Sequence, residues 1–194
     1  MDRADTLKIM ATLTAAYPNF YKGMQKEDSD GIVKLWTLMF SDEPYQIVEA
    51  AVVRLISSDT KGFPPVIGQV KEQIYRLKTP NEMTEYQAFD LVKKAVRKYC
   101  PYDKPEDNPF FSLPVNIQHT LGSPSQIRDF AMMDLEAFES VAGSNFMRSY
   151  RAKAAGIREF EKLPSDIKQI SLQLAERLSD EQRLLGGHND DISD

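Results

Sequence analysis

The chain has 194 residues, of which 42% are hydrophobic and 27% are charged, and its formal net charge is −5. These values are typical of a soluble globular protein, and no apolar run reaches the roughly 18 residues that a membrane-spanning helix needs. The net negative charge excludes a polyanion-binding surface that covers the whole protein. Any contact with nucleic acid therefore has to be local.

Cysteine and histidine usage limits the chemistry that the chain can carry. A single cysteine, Cys100, excludes an intramolecular disulfide framework and fits a reducing cytoplasm. The two histidines, His119 and His188, lie far apart in the sequence and have no cysteine or carboxylate at ligand spacing. The first residues lack the basic and apolar regions of a secretion signal. We therefore expect a cytoplasmic protein without a metal or a cofactor.

No motif in the sequence predicts catalysis. The phosphate-binding loop of ATPases, the G-x-S-x-G elbow, the H-E-x-x-H zinc motif and the C-x-x-C pair are all missing from the sequence. Cys100 precedes a proline and has no histidine near it in sequence, so we predict an ordinary half-buried thiol. Carboxylate pairs such as Asp42 and Glu43 fall in predicted caps and loops. The sequence therefore predicts a protein that is not an enzyme.

Apolar residues recur at helical spacing along the first 80 residues. The first such segment covers residues 5–17 and stops at Pro18, because proline cannot continue a helix. The second follows the possible capping side chains of residues 28–30 and contains Trp36, the only tryptophan. We predict two amphipathic helices whose apolar faces close on this tryptophan.

Two further helices are predicted before residue 80. The Ser-Asp-Glu-Pro sequence of residues 41–44 is typical of a helix start. A fourth helix is predicted to start at Pro65 and to end at Thr79. Alternation of β-branched residues is scarce throughout the chain. The sequence therefore predicts an all-α fold with a four-helix bundle-like domain at residues 1–80.

Residues 81–163 are predicted to form a second helical region. Thr84 and Gln87 have the spacing of a capping box, which starts a fifth helix. A proline-rich loop is predicted at residues 101–114. Beyond it we expect short helices on both sides of Gly122, a typical C-terminal capping residue, and then one longer amphipathic helix.

Residues 164–194 are predicted to contain an amphipathic segment and a tail. Ile167, Ile170, Leu174 and Leu178 recur at the spacing of one helical face. The polar and acidic sequence of residues 186–194 is typical of a disordered tail.

Aromatic residues near Trp36 have two interpretations. Trp36, Phe40, Tyr17 and Phe20 could anchor a protein partner, since exposed aromatic side chains are typical of interface hot spots. Alternatively they form the core of the helical domain, which is the more common role for Trp36 and Phe40 at this spacing.

A second cluster combines basic and aromatic residues between positions 146 and 158. Four cations occur there without an acidic residue, interleaved with two aromatic rings. The residues are Phe146, Arg148, Tyr150, Arg151, Lys153 and Arg158. Such a segment can bind single-stranded nucleic acid or an acidic protein. The alternative is that the aromatic rings face a core while the cations are solvated.

Four short motifs follow one another in the first 70 residues. They are Tyr-Pro-Asn-Phe at residues 17–20, Leu-Trp-Thr-Leu-Met at 35–39, Asp-Glu-Pro-Tyr at 42–45 and Phe-Pro-Pro at 63–65. Together they resemble the small helical phage proteins that load and inhibit DnaB-type replicative helicases in Gram-positive bacteria. The resemblance identifies these residues as fold-defining: Tyr17, Pro18, Trp36, Phe40, Phe63, Pro64 and Pro65.

The resemblance implies a function by protein binding. The chain would bind a hexameric DnaB-type helicase in the bacterial cytoplasm, inhibit it and deliver it to an origin complex, where an origin-binding replication protein is a further expected partner. We also expect a weak contact with single-stranded DNA and none with a membrane. The alternative hypothesis is an anti-host or anti-defence inhibitor that binds a different protein. Besides the basic and aromatic cluster, the candidate partner-binding residues are Ile167, Ile170 and Leu174.

Overall fold

A computed structural model describes residues 1–102 and 104–186, with side chains described through residue 180. The chain is 76% helical, and the residues that the structure describes contain no strand, which confirms the predicted all-α class. Within these residues, no helix is both long and apolar enough to cross a membrane. From residue 187 onward, the predicted disordered tail lies outside the described part of the chain.

The described residues form eleven α-helices. They are α1 (Arg3–Ala16), α2 (Pro18–Tyr21), α3 (Lys26–Met39), α4 (Tyr45–Ser58), α5 (Ile67–Lys78), α6 (Glu85–Lys98), α7 (Val115–Leu121), α8 (Ser125–Ala131), α9 (Leu135–Ala137), α10 (Gly143–Glu161) and α11 (Ser165–Gly186). Two 3₁₀ turns at Pro105–Asp107 and Pro109–Ser112 precede α7, and a π-helical turn at Phe138–Ala142 precedes α10.

The chain divides into two compact units. Unit one contains residues 1–79 and the chain from residue 160 onward, and unit two contains residues 80–159. The bundle-like arrangement and the three-part division at residues 80 and 163 stay predictions.

Trp36 lies in the core of unit one. Helix α1 packs against α3 and α4, and α4 packs against α5. The rings of Trp36 and Phe40 lie 5.1 Å apart, centroid to centroid. The remaining core residues are Ile9, Leu13, Tyr17, Val48, Ala51, Val52, Val70 and Ile74. Because these side chains come from all four long helices before residue 80, each helix buries an apolar face in one core.

A buried charge pair lies at the edge of this core. The Lys71 amine is 3.9 Å from Oε1 of Glu43 and 5.0 Å from the centre of the Phe40 ring. Burial lowers the pKa of Lys71, and the charge of Glu43 opposes this shift. Oε2 of Glu43 lies 2.7 Å from the amine of Lys78. Glu43 therefore interacts with two cations of α5. The sequence predicted only its position at the start of a helix.

Helix starts in unit one differ from the predictions at three points. Pro18 ends α1 as predicted, but it also opens the short helix α2, since a fixed φ suits the first helical position. Helix α3 begins at Lys26, so Asp28 lies in its first turn and favours the helix through the dipole without capping it. Helix α5 begins at Ile67 and not at Pro65, because Val66 stays extended and its N–H donates to the Gln69 side chain over 3.0 Å.

Unit two is built around four phenylalanine rings. Phe89 of α6 lies 5.4 Å from Phe138 and 5.9 Å from Phe146, and Phe130 lies 5.4 Å from Phe138. Helix α6 also packs against α8. Offset and tilted ring pairs of this kind stabilise a core beyond the effect of buried area alone.

Local signals in unit two were predicted well. Thr84 and Gln87 form the capping box at the start of α6, and Gly122 ends α7 with a φ of +87°. Within the predicted proline-rich loop at residues 101–114, the described residues form two 3₁₀ turns. The second turn forms because the Asn108 side chain accepts a hydrogen bond from the Phe110 N–H over 2.9 Å.

Replacing Gly143 by alanine tests the packing of unit two. A Cβ atom at this position would lie 2.7 Å from Cζ of Phe89, and that ring is held between Phe138 and Phe146. We expect Gly143→Ala to lower the free energy of unfolding by about 1–3 kcal/mol, the usual cost of overpacking. Denaturant unfolding followed by far-UV circular dichroism measures this change.

Gly156→Ala is the matched control in the same helix. No atom lies within 4 Å of a Cβ at Gly156, so the gain in helix propensity should raise stability by roughly 0.5–1 kcal/mol. Equal effects of the two substitutions would contradict the described contact between Gly143 and Phe89.

Candidate partner-binding surfaces

The aromatic members of the basic and aromatic cluster lie in the core of unit two. Phe146 and Tyr150 are 5% and 4% exposed, and their rings stack 6.0 Å apart. The Tyr150 hydroxyl accepts a hydrogen bond from Nδ2 of Asn116 over 2.7 Å. In this arrangement both rings serve packing, so neither is available to stack on a base.

Most cations of the same cluster are engaged within unit two. Arg151 forms an ion pair with Glu85 and thereby lowers the pKa of that carboxyl. Nη2 of Arg158 lies 2.6 Å from Oε2 of Glu82. The cluster therefore contributes little free positive charge.

The other two cations of the cluster differ from each other. The Lys153 amine donates to the backbone carbonyl of His119. Arg148 is exposed and has no ion-pair partner among the described residues.

Helix α11 presents a continuous apolar stripe to solvent. The stripe consists of Ile167, Ile170, Leu174 and Leu178, which are 36%, 51%, 52% and 60% exposed. Residues at these spacings lie on one side of a helix, and the other side is mainly polar apart from Leu172. Large apolar side chains exposed in a row are typical of a surface that binds a partner.

The start of α11 is fixed to unit one. The Ser165 N–H donates to Oδ2 of Asp42 over 2.6 Å, and this bond is the main cause of the lowered pKa of Asp42. Just before α11, the Lys162 amine lies 2.9 Å from Oε2 of Glu72, and Pro164 is buried. The stripe of α11 therefore extends from an anchored first turn.

The fold-defining residues fall into buried and exposed groups. Tyr17, Trp36, Phe40 and Pro65 are buried, Pro64 is half-buried, and Pro18 is exposed. Phe63 is 67% exposed and Phe20 is 55% exposed. Of the two interpretations of these aromatic residues, the core role therefore applies to Tyr17, Trp36 and Phe40. Phe20 is exposed and remains available for contacts.

Tyr17 lies beside a loop that Asp59 organises. The Asp59 carboxylate accepts hydrogen bonds from the N–H groups of Lys61 and Gly62, both over 2.9 Å, and these bonds help to lower its pKa. Burial, followed by the nearby Asp59 carboxylate, raises the pKa of Tyr17. A cleft of about 440 Å³ opens here, lined by Tyr17, Phe20 and Asp59 among others.

Side chains that bind metals are dispersed in the part of the chain that the structure describes. Cys100 is half-buried, as predicted, and His119 is exposed. Within the described residues, no group of three or more histidine, cysteine, aspartate or glutamate side chains is placed to hold a metal ion.

The sequence analysis missed one charged surface, on α6. Lys94, Arg97 and Lys98 are all exposed near the end of this helix, and Tyr102 is 95% exposed just beyond it. The signal was present in the sequence, because residues 91–102 contain four cations and no acidic residue. Residues 146–158 have a similar density of positive charge, and the prediction named that segment, which lies in α10, instead.

These features define a small all-helical protein with exposed surfaces suited to binding macromolecules. Residues 1–71 match the family model for the N-terminal domain of a helicase loader and inhibitor protein of the phage SPP1. The resemblance inferred from the four motifs is therefore confirmed over these residues. No curated protein and no solved structure matches the chain.

The hydrogen bond that anchors α11 should make the stability of unit one depend on pH. The folded state lowers the pKa of Asp42, so its charged form stabilises the fold above the ordinary aspartate pKa of about 3.9. This stabilisation is lost as pH falls through the lowered, folded-state pKa. We expect Asp42→Asn, which keeps an acceptor oxygen but removes the charge, to be less stable than wild type at pH 7.

Fluorescence of Trp36 reports the unfolding of unit one, because it is the only tryptophan and lies in that core. The difference in unfolding free energy between wild type and Asp42→Asn should shrink as the pH is lowered below about 4. A difference that is constant between pH 7 and pH 2 would show that the charge of Asp42 does not stabilise the fold.

Proposed function

We propose that the chain is a non-enzymatic adaptor of phage DNA replication that binds a hexameric DnaB-type helicase. The adaptor holds the helicase inactive and delivers it to an origin complex in the cytoplasm of the bacterial host. The observation that carries this proposal is the family match over residues 1–71, since that family loads and inhibits a helicase. The absence of a catalytic motif from the sequence agrees with an action by binding alone.

We assign helicase binding to the apolar stripe of α11. Its four residues form one side of a helix, which is the shape that inserts into an apolar groove of a partner. The anchored first turn supports this assignment, because a helix that is already ordered loses less conformational entropy on binding. The stripe also contains Ile167, Ile170 and Leu174, the candidate binding residues on this segment.

Inhibition and delivery need only a difference in affinity. An adaptor that binds one conformation of the helicase hexamer more tightly than another shifts the hexamer toward the favoured conformation. To raise the population of the favoured conformation from about 1% to about 99%, the adaptor must bind it about 10⁴-fold more tightly than the other conformation. Release then follows when another ligand of the helicase, such as nucleotide or DNA, favours the opposite conformation.

The direct experiment is size-exclusion chromatography of the full chain with a DnaB-type helicase. The phage helicase and the host helicase are each tested with ADP and with a non-hydrolysable ATP analogue. We expect co-elution in at least one nucleotide state and a lower rate of DNA unwinding in the presence of the chain. Separate elution in every state would contradict the proposal.

Substitutions in the stripe test which surface binds. Ile170→Glu combined with Leu174→Glu places two charges in the stripe, and glutamate keeps the helix propensity high. Because interface anchors typically contribute more than 1 kcal/mol each, we expect the dissociation constant for the helicase to rise about tenfold or more. Biolayer interferometry with immobilised helicase measures this constant.

The control variant adds two glutamates to α11 outside the stripe. Gln169→Glu combined with Gln173→Glu alters two exposed residues outside the stripe and changes the net charge equally, so helicase binding should stay close to wild type. Equal losses in both variants would indicate an effect of net charge and would contradict the assignment of the stripe.

A further inference from the structure

Three cations form a single exposed surface on unit two, the cationic face of α6. It consists of Lys94, Arg97 and Lys98, which are separated by three and four residues and therefore lie on one side of the helix. The opposite side of α6 is buried and carries Ala88, Phe89, Val92 and Ala95. The three cations thus point away from the core of unit two.

The cations of this segment outnumber its acidic side chains, because residues 90–98 contain four cations and one carboxylate. Lys93, the fourth cation of the segment, pairs with Asp90 over 2.7 Å. Lys94, Arg97 and Lys98 have no ion-pair partner among the described residues. The pKa of Asp90 is lowered first by Lys93 and further by Lys94 and Arg97, so this single carboxylate interacts with three of the four cations. This potential is local, because the net charge of the whole chain is −5.

Two exposed tyrosines flank the cationic face. Tyr86 is 68% exposed and precedes Arg97 by eleven residues, or about three helical turns, so the two side chains lie on the same side of α6. Tyr102 is 95% exposed in the turn after the helix. Neither ring belongs to the core cluster of unit two, and most of each side chain is open to solvent.

We propose that the cationic face of α6 binds single-stranded nucleic acid. Lys94, Arg97 and Lys98 would contact successive phosphates, and the rings of Tyr102 and Tyr86 would stack on unpaired bases. The dipole of α6 explains Arg97 and Lys98 in its last turn, but it explains neither Lys94 nor the exposed rings near the two ends of the helix. Because stacking needs unpaired bases, the rings favour a single strand over a duplex and over an acidic peptide.

Fluorescence anisotropy with a labelled thymidine oligonucleotide tests this proposal on the full chain alone. Lys94→Gln, Arg97→Gln and Lys98→Gln are combined in one variant, and circular dichroism confirms that it is folded. We expect at least tenfold weaker binding at low salt. The slope of log K against log salt should fall by about 2, because three phosphate contacts of about 0.7 each are removed.

A matched control removes three cations from a different surface. Lys22→Gln, Lys26→Gln and Lys34→Gln give a variant with the same net charge, and all three residues are exposed in unit one. We expect the control to bind the oligonucleotide like wild type. Equal binding by the two variants, or wild type that fails to bind at low salt, would overturn the proposal.

Tyr102→Ala separates nucleic acid from other polyanions. Loss of one stacked base should weaken oligonucleotide binding about fivefold or more. Polyglutamate and duplex DNA are then used as competitors, and both should compete poorly. If either competes as well as the single strand and Tyr102→Ala has no effect, the face binds polyanions in general and the proposal is wrong. The measurement needs no helicase, so its outcome does not depend on the adaptor function proposed above.

Discussion

The hydrogen bond from the Ser165 N–H to the Asp42 carboxylate connects residues 123 positions apart in the chain. It brings the start of α11 onto the unit that carries the family match, at the turn between α3 and α4. The neighbouring ion pair between Lys162 and Glu72 lies just before α11 and also joins this end of the chain to α5. The apolar stripe can act as an ordered binding helix because its first turn is held in place.

Core formation decides which aromatic residues remain available for function. Unit one buries Trp36, Phe40 and Tyr17, and unit two buries the phenylalanine rings of α6, α8 and α10. Buried rings define the fold but cannot contact a partner unless the unit opens. The aromatic residues that retain a large exposed surface, such as Phe20, Phe63 and Tyr102, lie in α2, in the segment before α5 and after α6. Exposed aromatic side chains of this kind therefore lie near the ends of helices and in the segments between them.

The sequence predicts those features that depend on neighbouring residues. The capping box of Thr84 and the glycine cap at Gly122 need only a few adjacent positions, and both were predicted. The state of Arg151 and Arg158 depends on Glu85 and Glu82, which lie 66 and 76 residues away, so spacing alone could not show that these cations are paired. The same limit applies to Asp42, whose partner Ser165 is even more distant. Charge density in the sequence thus did not show which cations of α10 are paired, nor that three cations of α6 are exposed.

The stripe of α11 and the cationic face of α6 are chemically different and belong to different units. One is apolar and suited to a protein groove, and its affinity should depend little on salt. The other is positively charged and suited to phosphates, so its affinity should fall steeply with salt. A chain that used both would hold a helicase and a single strand at a high effective concentration relative to each other, without any chemical step.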